Sequence, residues 1–186
     1  MNKLIYLLPA VTLCVLAYLQ IVTLIDKHTI TLTATPIPYF DIAAMTAPDG
    51  SEKRLTTDSL KNYIQGEPIM VNFFATWCST CLIEHKQIVS LAEKHGLKII
   101  GIAYRDDPKD ITPYMIRLGN PYAQIALDPD GYAAAGWKVS GTPESFFLDT
   151  NGVVRYHFRG PIRERDMKRI LQIIHAVKND TQQESG

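Results

Sequence analysis

Two cysteines, Cys78 and Cys81, stand two residues apart in Trp77-Cys78-Ser79-Thr80-Cys81, at the end of the apolar run Ile69-Met70-Val71-Asn72-Phe73-Phe74-Ala75. Cysteines at this spacing close a disulfide within one helical turn, and after a buried strand, at the start of a helix, such a pair does redox chemistry. Exchange needs one sulfur as a thiolate. At a helix N-terminus the unpaired amides and the dipole favour that charge, which assigns Cys78 as the attacking sulfur. Cys81, a turn further on and more buried, is the resolving thiol. The competing readings are a zinc site or an inert structural bond. Zinc takes four ligands; His85 and a distant residue would have to supply two of them, with no second Cys-x-x-Cys. A c-type haem attachment needs histidine directly after the second cysteine, where Leu82 stands. No metal and no cofactor beyond the Cys78–Cys81 disulfide is expected.

The second element is Thr142-Pro143-Glu144, which opens a later apolar strand. If the Pro143 bond is cis, it sets the Thr142 backbone opposite Cys78, with an amide and a carbonyl open to an extended peptide. Local sequence alone allows trans as readily; the Cys-x-x-Cys setting favours cis. Glu84, one turn after Cys81, is a candidate to accept the proton of the resolving thiol; the alternative is a solvated helix residue. Glu144 either adds negative charge beside the pair, raising the Cys78 pKa, or is a surface carboxylate. Trp77 is expected to shield the disulfide or to pack in the core. His85 is expected at the surface.

These residues need a scaffold, and the chain of 186 residues supplies it. Strand Ile69–Ala75 has the continuous apolar character of a sheet centre covered on both faces. A helix is expected from Ser79 to His95, stopped by Gly96, then a strand Leu97–Tyr104 and a helix Pro108–Leu118 with a kink or break at Pro113. A strand Gln124–Leu127, a short helix Tyr132–Gly136 and a hairpin about Asn151-Gly152 follow, the hairpin strands being Ser145–Leu148 and Val153–Phe158. The last helix is expected over Arg163–Lys178. Upstream, Tyr39–Ile42 and Lys53–Leu55 read as short strands about a turn at Pro48-Asp49-Gly50, before a helix Leu60–Gln65. Strands separated by helices, then a hairpin and a terminal helix, give an α/β fold with a mixed sheet.

Apolar content of 46%, charged content of 20% and zero formal net charge are those of an ordinary globular domain, and nothing suggests nucleic-acid binding. Only three cysteines occur, so a disulfide-stapled scaffold is excluded. From Leu4 to Ile25 no residue is charged; a helix of about 22 residues spans about 33 Å, enough for a bilayer core. Without a convincing cleavage site, an uncleaved anchor is favoured over a signal peptide. Lys3 and Lys27 flank both ends, so charge sets orientation poorly, and the N-terminal amine favours the domain outside. Cys14 is read as a small apolar residue facing lipid. The expected organisation is an anchor over residues 1–27, an extended tether over 28–38, the domain over 39–179 and a disordered polar tail over 180–186.

Taken together, Asn72 to Cys81, the Glu84-His85 pair, Asp128-Pro129-Asp130-Gly131 and Val139 to Asp149 resemble the thioredoxin-like CcmG/DsbE proteins of cytochrome c maturation. The Gly-x-Pro-Glu element, Gly141 to Glu144, is the most family-specific part. Ser79 departs from the usual proline and Thr142 from alanine. Asn72 replaces the buried aspartate of ordinary thioredoxins, which favours Glu84 as the proton-handling group. The resemblance implies a thioredoxin-like fold tethered to the inner membrane and facing the periplasm. It implies re-reduction by a DsbD- or CcdA-type membrane donor, and a client in the Cys-x-x-Cys-His motif of apocytochrome c or a CcmH-type thiol protein. A TlpA-like reductase serving copper-centre assembly and a non-enzymatic metal-delivery domain are the alternatives; the latter would need a distal histidine such as His157.

Overall fold

The computed structural model describes residues 11–20, 30–45 and 53–184. The chain falls into two compact units, Met1–Thr31 and Leu32–Gly186. In the first, residues 11–20 form helix α1, with exposed side chains including the free thiol of Cys14. The rest of the apolar stretch expected to cross a membrane lies outside the described residues. Among the described residues no helix is long and apolar enough for a crossing.

The second unit is built on strand β4, Ile69–Phe74, whose six residues are all buried. Side chains alternate across a strand. Ile69, Val71 and Phe73 therefore face one side, where they join a core with Phe40, Trp137 and Phe146. Phe73 packs edge-on against both Trp137 and Phe146, with ring centroids 5.9 and 5.8 Å apart. Met70, Asn72 and Phe74 face the other side. There helix α3, Ser79–His95, packs, as the hydrogen bond from Asn72 to Glu84 shows. β4 lies parallel to β5, Lys98–Tyr104, and antiparallel to β7, Glu144–Leu148. β5 lies parallel to β6, Gln124–Asp128. The remaining strands are β1 (Thr35–Pro36), β2 (Asp41–Ala44), β3 (Lys53–Thr56) and β8 (Val153–Arg159). The sheet order is β1-β8-β7-β4-β5-β6-β2-β3. The mixed α/β fold is as expected, and the carboxyl ends of β4 and β5 meet at one pole, beside the start of β7.

Helices α3, α4 (Pro108–Leu118) and α5 (Tyr132–Gly136) have the expected bounds. Gly96 ends α3 in the left-handed conformation, φ 65°. Pro113 does not break α4. It and Lys109, whose carbonyl loses its amide donor, are both exposed, so that carbonyl is not sealed away from solvent. Four expectations are corrected. Helix α2 occupies Thr57–Lys61 rather than Leu60–Gln65, because a reciprocal capping box between Thr56 and Ser59 starts it three residues earlier. β2 begins two residues late, since the Phe40 amide is taken by the Thr57 hydroxyl at 2.8 Å. Part of the expected tether is strand: Thr35 and Pro36 pair with Val154 and Val153, and the Thr33 amide donates to the Arg155 carbonyl. Finally, the last helix, α6, runs over Met167–Glu184 after a single 3-10 turn, Glu164–Asp166, so the backbone at 180–184 is helical rather than a loose tail. The turn expected at Pro48-Asp49-Gly50 lies outside the described residues.

Gly101 sits beside Asn72 in the β4–β5 register. A Cβ there would lie 2.9 Å from the rings of both Phe74 and Tyr122, which stack on each other. Gly101→Ala should therefore lower stability by about 1–3 kcal/mol, read by urea denaturation of the oxidised protein.

Candidate active site

β4 delivers Ala75-Thr76-Trp77 to the pole, and the loop after β5 pins them there. The Asp106 carboxylate accepts from the Thr76 amide at 2.6 Å and from its hydroxyl at 2.8 Å. The Trp77 indole N–H donates to the Arg105 carbonyl at 3.0 Å. The ring of Trp77 tilts against Tyr104 and stays 60% exposed, so it forms the rim of the site and not the core. Asp106 is a positioning residue that sequence reasoning missed; an acidic pair one residue beyond a strand was its only sign.

Cys78 is the N-cap of α3 and is disulfide-bonded to Cys81, Cα to Cα 5.3 Å. The Cys81 amide donates to Cys78 Sγ at 3.1 Å, and the Thr80 hydroxyl lies 3.2 Å from it. These donors and the dipole of a 17-residue helix converge on one sulfur. Cys78 is 6% exposed and Cys81 2%. The Thr142–Pro143 bond is cis, and the Thr142 carbonyl oxygen lies 3.5 Å from Cys78 Sγ. Thr142 is thus opposite the pair, partly exposed, with Gly141 exposed beside it.

Glu84 is not solvated. It is 1% exposed, on the inner side of α3 less than one turn beyond Cys81. One oxygen accepts from Asn72 Nδ2 and the other from the Ile162 amide, each at 3.0 Å. Burial pushes its carboxyl up to about 7, against the opposing pull of those two hydrogen bonds. Asn72 also donates to the Ser145 hydroxyl at 3.1 Å and accepts from the Tyr122 hydroxyl at 2.8 Å. Ser145, Tyr122 and Ile162 come from distant segments, and no local pattern marks them.

Glu144 is buried too, so the surface reading fails. One oxygen accepts from the Ser140 amide at 2.9 Å, the Ser140 hydroxyl and the Gly141 amide at 3.2 Å; the other faces His157 Nε2 at 2.6 Å. Burial acts to raise its pKa, but the hydrogen bonds from Ser140 and His157 outweigh it and hold the carboxyl below its ordinary range. The carboxylate therefore staples the loop that carries Thr142. His85 is buried as well, contrary to expectation. Its Nε2 lies 2.9 Å from the Gly119 carbonyl, its ring meets Tyr114 edge-on, and burial lowers its pKa. Both His85 and His157 thus have their Nε2 engaged within the fold. Among the described residues no group of three or more His, Cys, Asp or Glu side chains is placed to hold a metal ion.

A family model described as Redoxin matches residues 42–173. The thiol:disulfide interchange protein DsbE of Vibrio cholerae is 40% identical over 111 residues, 60% of this chain and 60% of that protein. The DsbE of Escherichia coli is 34% identical over 134 residues, 72% of this chain and 69% of that one. The crystal structure of a thio-disulfide isomerase from Thermus thermophilus superposes with a TM-score of 0.56 at 25% identity, covering 76% of this chain and 95% of the other.

The raised pKa of Glu84 has a consequence for stability. The folded state holds this proton from pH 4.5 up to about 7, whereas the unfolded chain has lost it. The contribution is therefore fully present below pH 4.5 and disappears as pH rises through about 7, by up to about 3 kcal/mol. Glu84→Gln should remove that fall. The difference in urea-unfolding free energy between variant and wild type, measured on the oxidised forms, should grow in favour of the variant from pH 5 to pH 8. A pH-independent difference would contradict the assignment.

Proposed function

The chain belongs to the Redoxin family and, within it, to the DsbE thiol:disulfide interchange proteins, and from that premise we propose that it is a membrane-tethered periplasmic reductant of cytochrome c maturation. The observation that carries the chemistry is Cys78 Sγ, held at the N-terminus of α3 with the Cys81 amide donating to it and the Thr142 carbonyl 3.5 Å away. In the reduced protein Cys78 is the thiolate. A client peptide lies extended along Gly141 and Thr142, under the rim formed by Trp77, and presents its disulfide. Cys78 attacks one client sulfur; the client S–S bond breaks, a mixed disulfide forms, and the other client sulfur leaves and takes up a proton. Cys81 then gives its proton to Glu84 and attacks Cys78 Sγ. The Cys78–Cys81 bond closes, and the second client sulfur leaves and is protonated. Two electrons have passed to the client. A group with a pKa of about 7 both accepts and returns a proton readily near neutral pH, which suits Glu84 to the resolving step.

The client in this reading is the Cys-x-x-Cys-His pair of apocytochrome c or a CcmH-type thiol protein. A membrane donor of the DsbD or CcdA type regenerates the dithiol. The apolar stretch from Leu4 to Ile25 is the anchor in the inner membrane. The support for client and compartment is the family and the Gly141-Thr142-Pro143-Glu144 element; the support for the anchor is the uncharged length of the stretch.

Cys78→Ser should abolish exchange. Cys81→Ser should attack but not release, and so accumulate mixed disulfides through Cys78. Expressed in the native membrane, that variant should trap apocytochrome c or a cytochrome-maturation thiol protein. A copper-assembly protein, or an unselected set of proteins, would retain the exchange chemistry and overturn the haem-pathway role. Glu84→Gln should slow release of the mixed disulfide at neutral pH by about 100-fold while leaving its formation much less affected, read by stopped-flow quench.

A further inference from the structure

His157 lies on β8 directly opposite Phe146 in the β7–β8 register, and its ring stacks on that of Phe146 with centroids 4.0 Å apart. This stacking fixes the imidazole plane and sends Nε2 diagonally across the ladder to Glu144 at 2.6 Å. Arg159 is the residue directly opposite Glu144 in that register. Glu144 is ionised, so Nε2 is the donor. The division of labour on the carboxylate is unequal: one oxygen gathers Ser140 and Gly141, and the other takes its hydrogen bond from His157. A carboxylate bound through one oxygen alone is free to turn about its last torsion, which is broad. Bound through both, it is locked.

We propose that His157 is a positioning residue for client docking: by donating Nε2–H to Glu144 it keeps that carboxylate aimed at Ser140 and Gly141, and so keeps the Gly141-Thr142 edge shaped for an extended peptide beside Cys78. The proposal rests on the exchange reading above for its consequence, and on geometry alone for its cause. His157 touches neither client nor sulfur in this scheme; it acts through Glu144. Removing it leaves a buried carboxylate oxygen unpaired and loosens a loop whose backbone groups are the docking surface.

The test uses three variants of the full chain. His157→Phe keeps the stacking on Phe146 and removes the donor. His157→Asn keeps polarity but is too short to reach Glu144, and it decides the matter if the phenylalanine variant does not fold. His157→Gln places an amide N–H near the position of Nε2. Two quantities are read: hydrogen exchange of the Ser140 and Gly141 amides in the oxidised protein, and steady-state reduction of an oxidised synthetic peptide carrying Cys-x-x-Cys-His. The Phe and Asn variants should speed both amides about tenfold and raise KM for the peptide about tenfold, the rise in KM exceeding any fall in kcat; Gln should restore both. Amide exchange and KM equal to wild type in the Phe or Asn variant would overturn the proposal, and so would failure of Gln to restore them. If the wild-type protein does not reduce the peptide, the exchange reading falls, and the amide exchange still decides for or against His157.

Discussion

The hydrogen bond from Asn72 to Glu84 is the constraint on which the site depends. It joins the central strand to the helix that carries both cysteines, and it does so between two side chains that are essentially without solvent. A buried carboxylate is tolerated only when its lone pairs are met. Here Asn72 meets one oxygen and the Ile162 amide the other, while Asn72 spends its remaining donor on Ser145 and its carbonyl on Tyr122. The pole is thereby tied together from β4, α3, β7, the segment before β6 and the segment before α6. An aspartate in place of Asn72 would set two carboxyl groups about one hydrogen bond apart, and such groups do not both ionise. With asparagine there, Glu84 titrates alone, and its pKa is set by burial and two neutral donors.

Two glutamates flank the disulfide, and their surroundings push them in opposite directions. Glu84 is sealed in the interior with two hydrogen bonds, and desolvation wins. Glu144 collects three donors from one turn and a fourth from His157, and the hydrogen bonds win. The first is thus suited to carry a proton in the proposed exchange, and the second is a fixed charge that shapes a loop. This separation of two acidic side chains by environment, rather than by chemical type, is how one small site obtains both a titrating and a non-titrating carboxyl.

The parts of the site that were legible in the sequence are those governed by short-range rules. The bounds of α3 follow from the cysteine pair at one end and Gly96 at the other, and the cis geometry at Pro143 was anticipated from its partnership with the pair. What was not legible depends on pairing across the fold. His85 looks solvent-facing from its neighbours, yet α4 closes over it. Glu144 looks like an ordinary strand-start carboxylate until β8 brings His157 alongside. Asp106 could not be found from its neighbours in the chain, because the Thr76 it holds lies thirty residues away, just past the end of β4. The extra strand at Thr35–Pro36 exists only because β8 offers an open edge; proline at a sheet edge costs no ladder bond there.

The same geometry orders the two sulfurs in time. At Cys78 the helix dipole, the Cys81 amide and the Thr80 hydroxyl all favour negative charge. Cys81 lies deeper, and its nearest titratable neighbour along the helix is a carboxyl that carries negative charge above about pH 7. In the proposed mechanism the thiolate of the reduced pair is on Cys78, the sulfur nearer the docking edge. In the proposed exchange, attack begins at Cys78, and resolution by Cys81 follows transfer of its proton to Glu84 once Cys78 has entered the mixed disulfide. On that proposal the order of events follows from the relative depth of two cysteines and the one carboxyl between strand and helix.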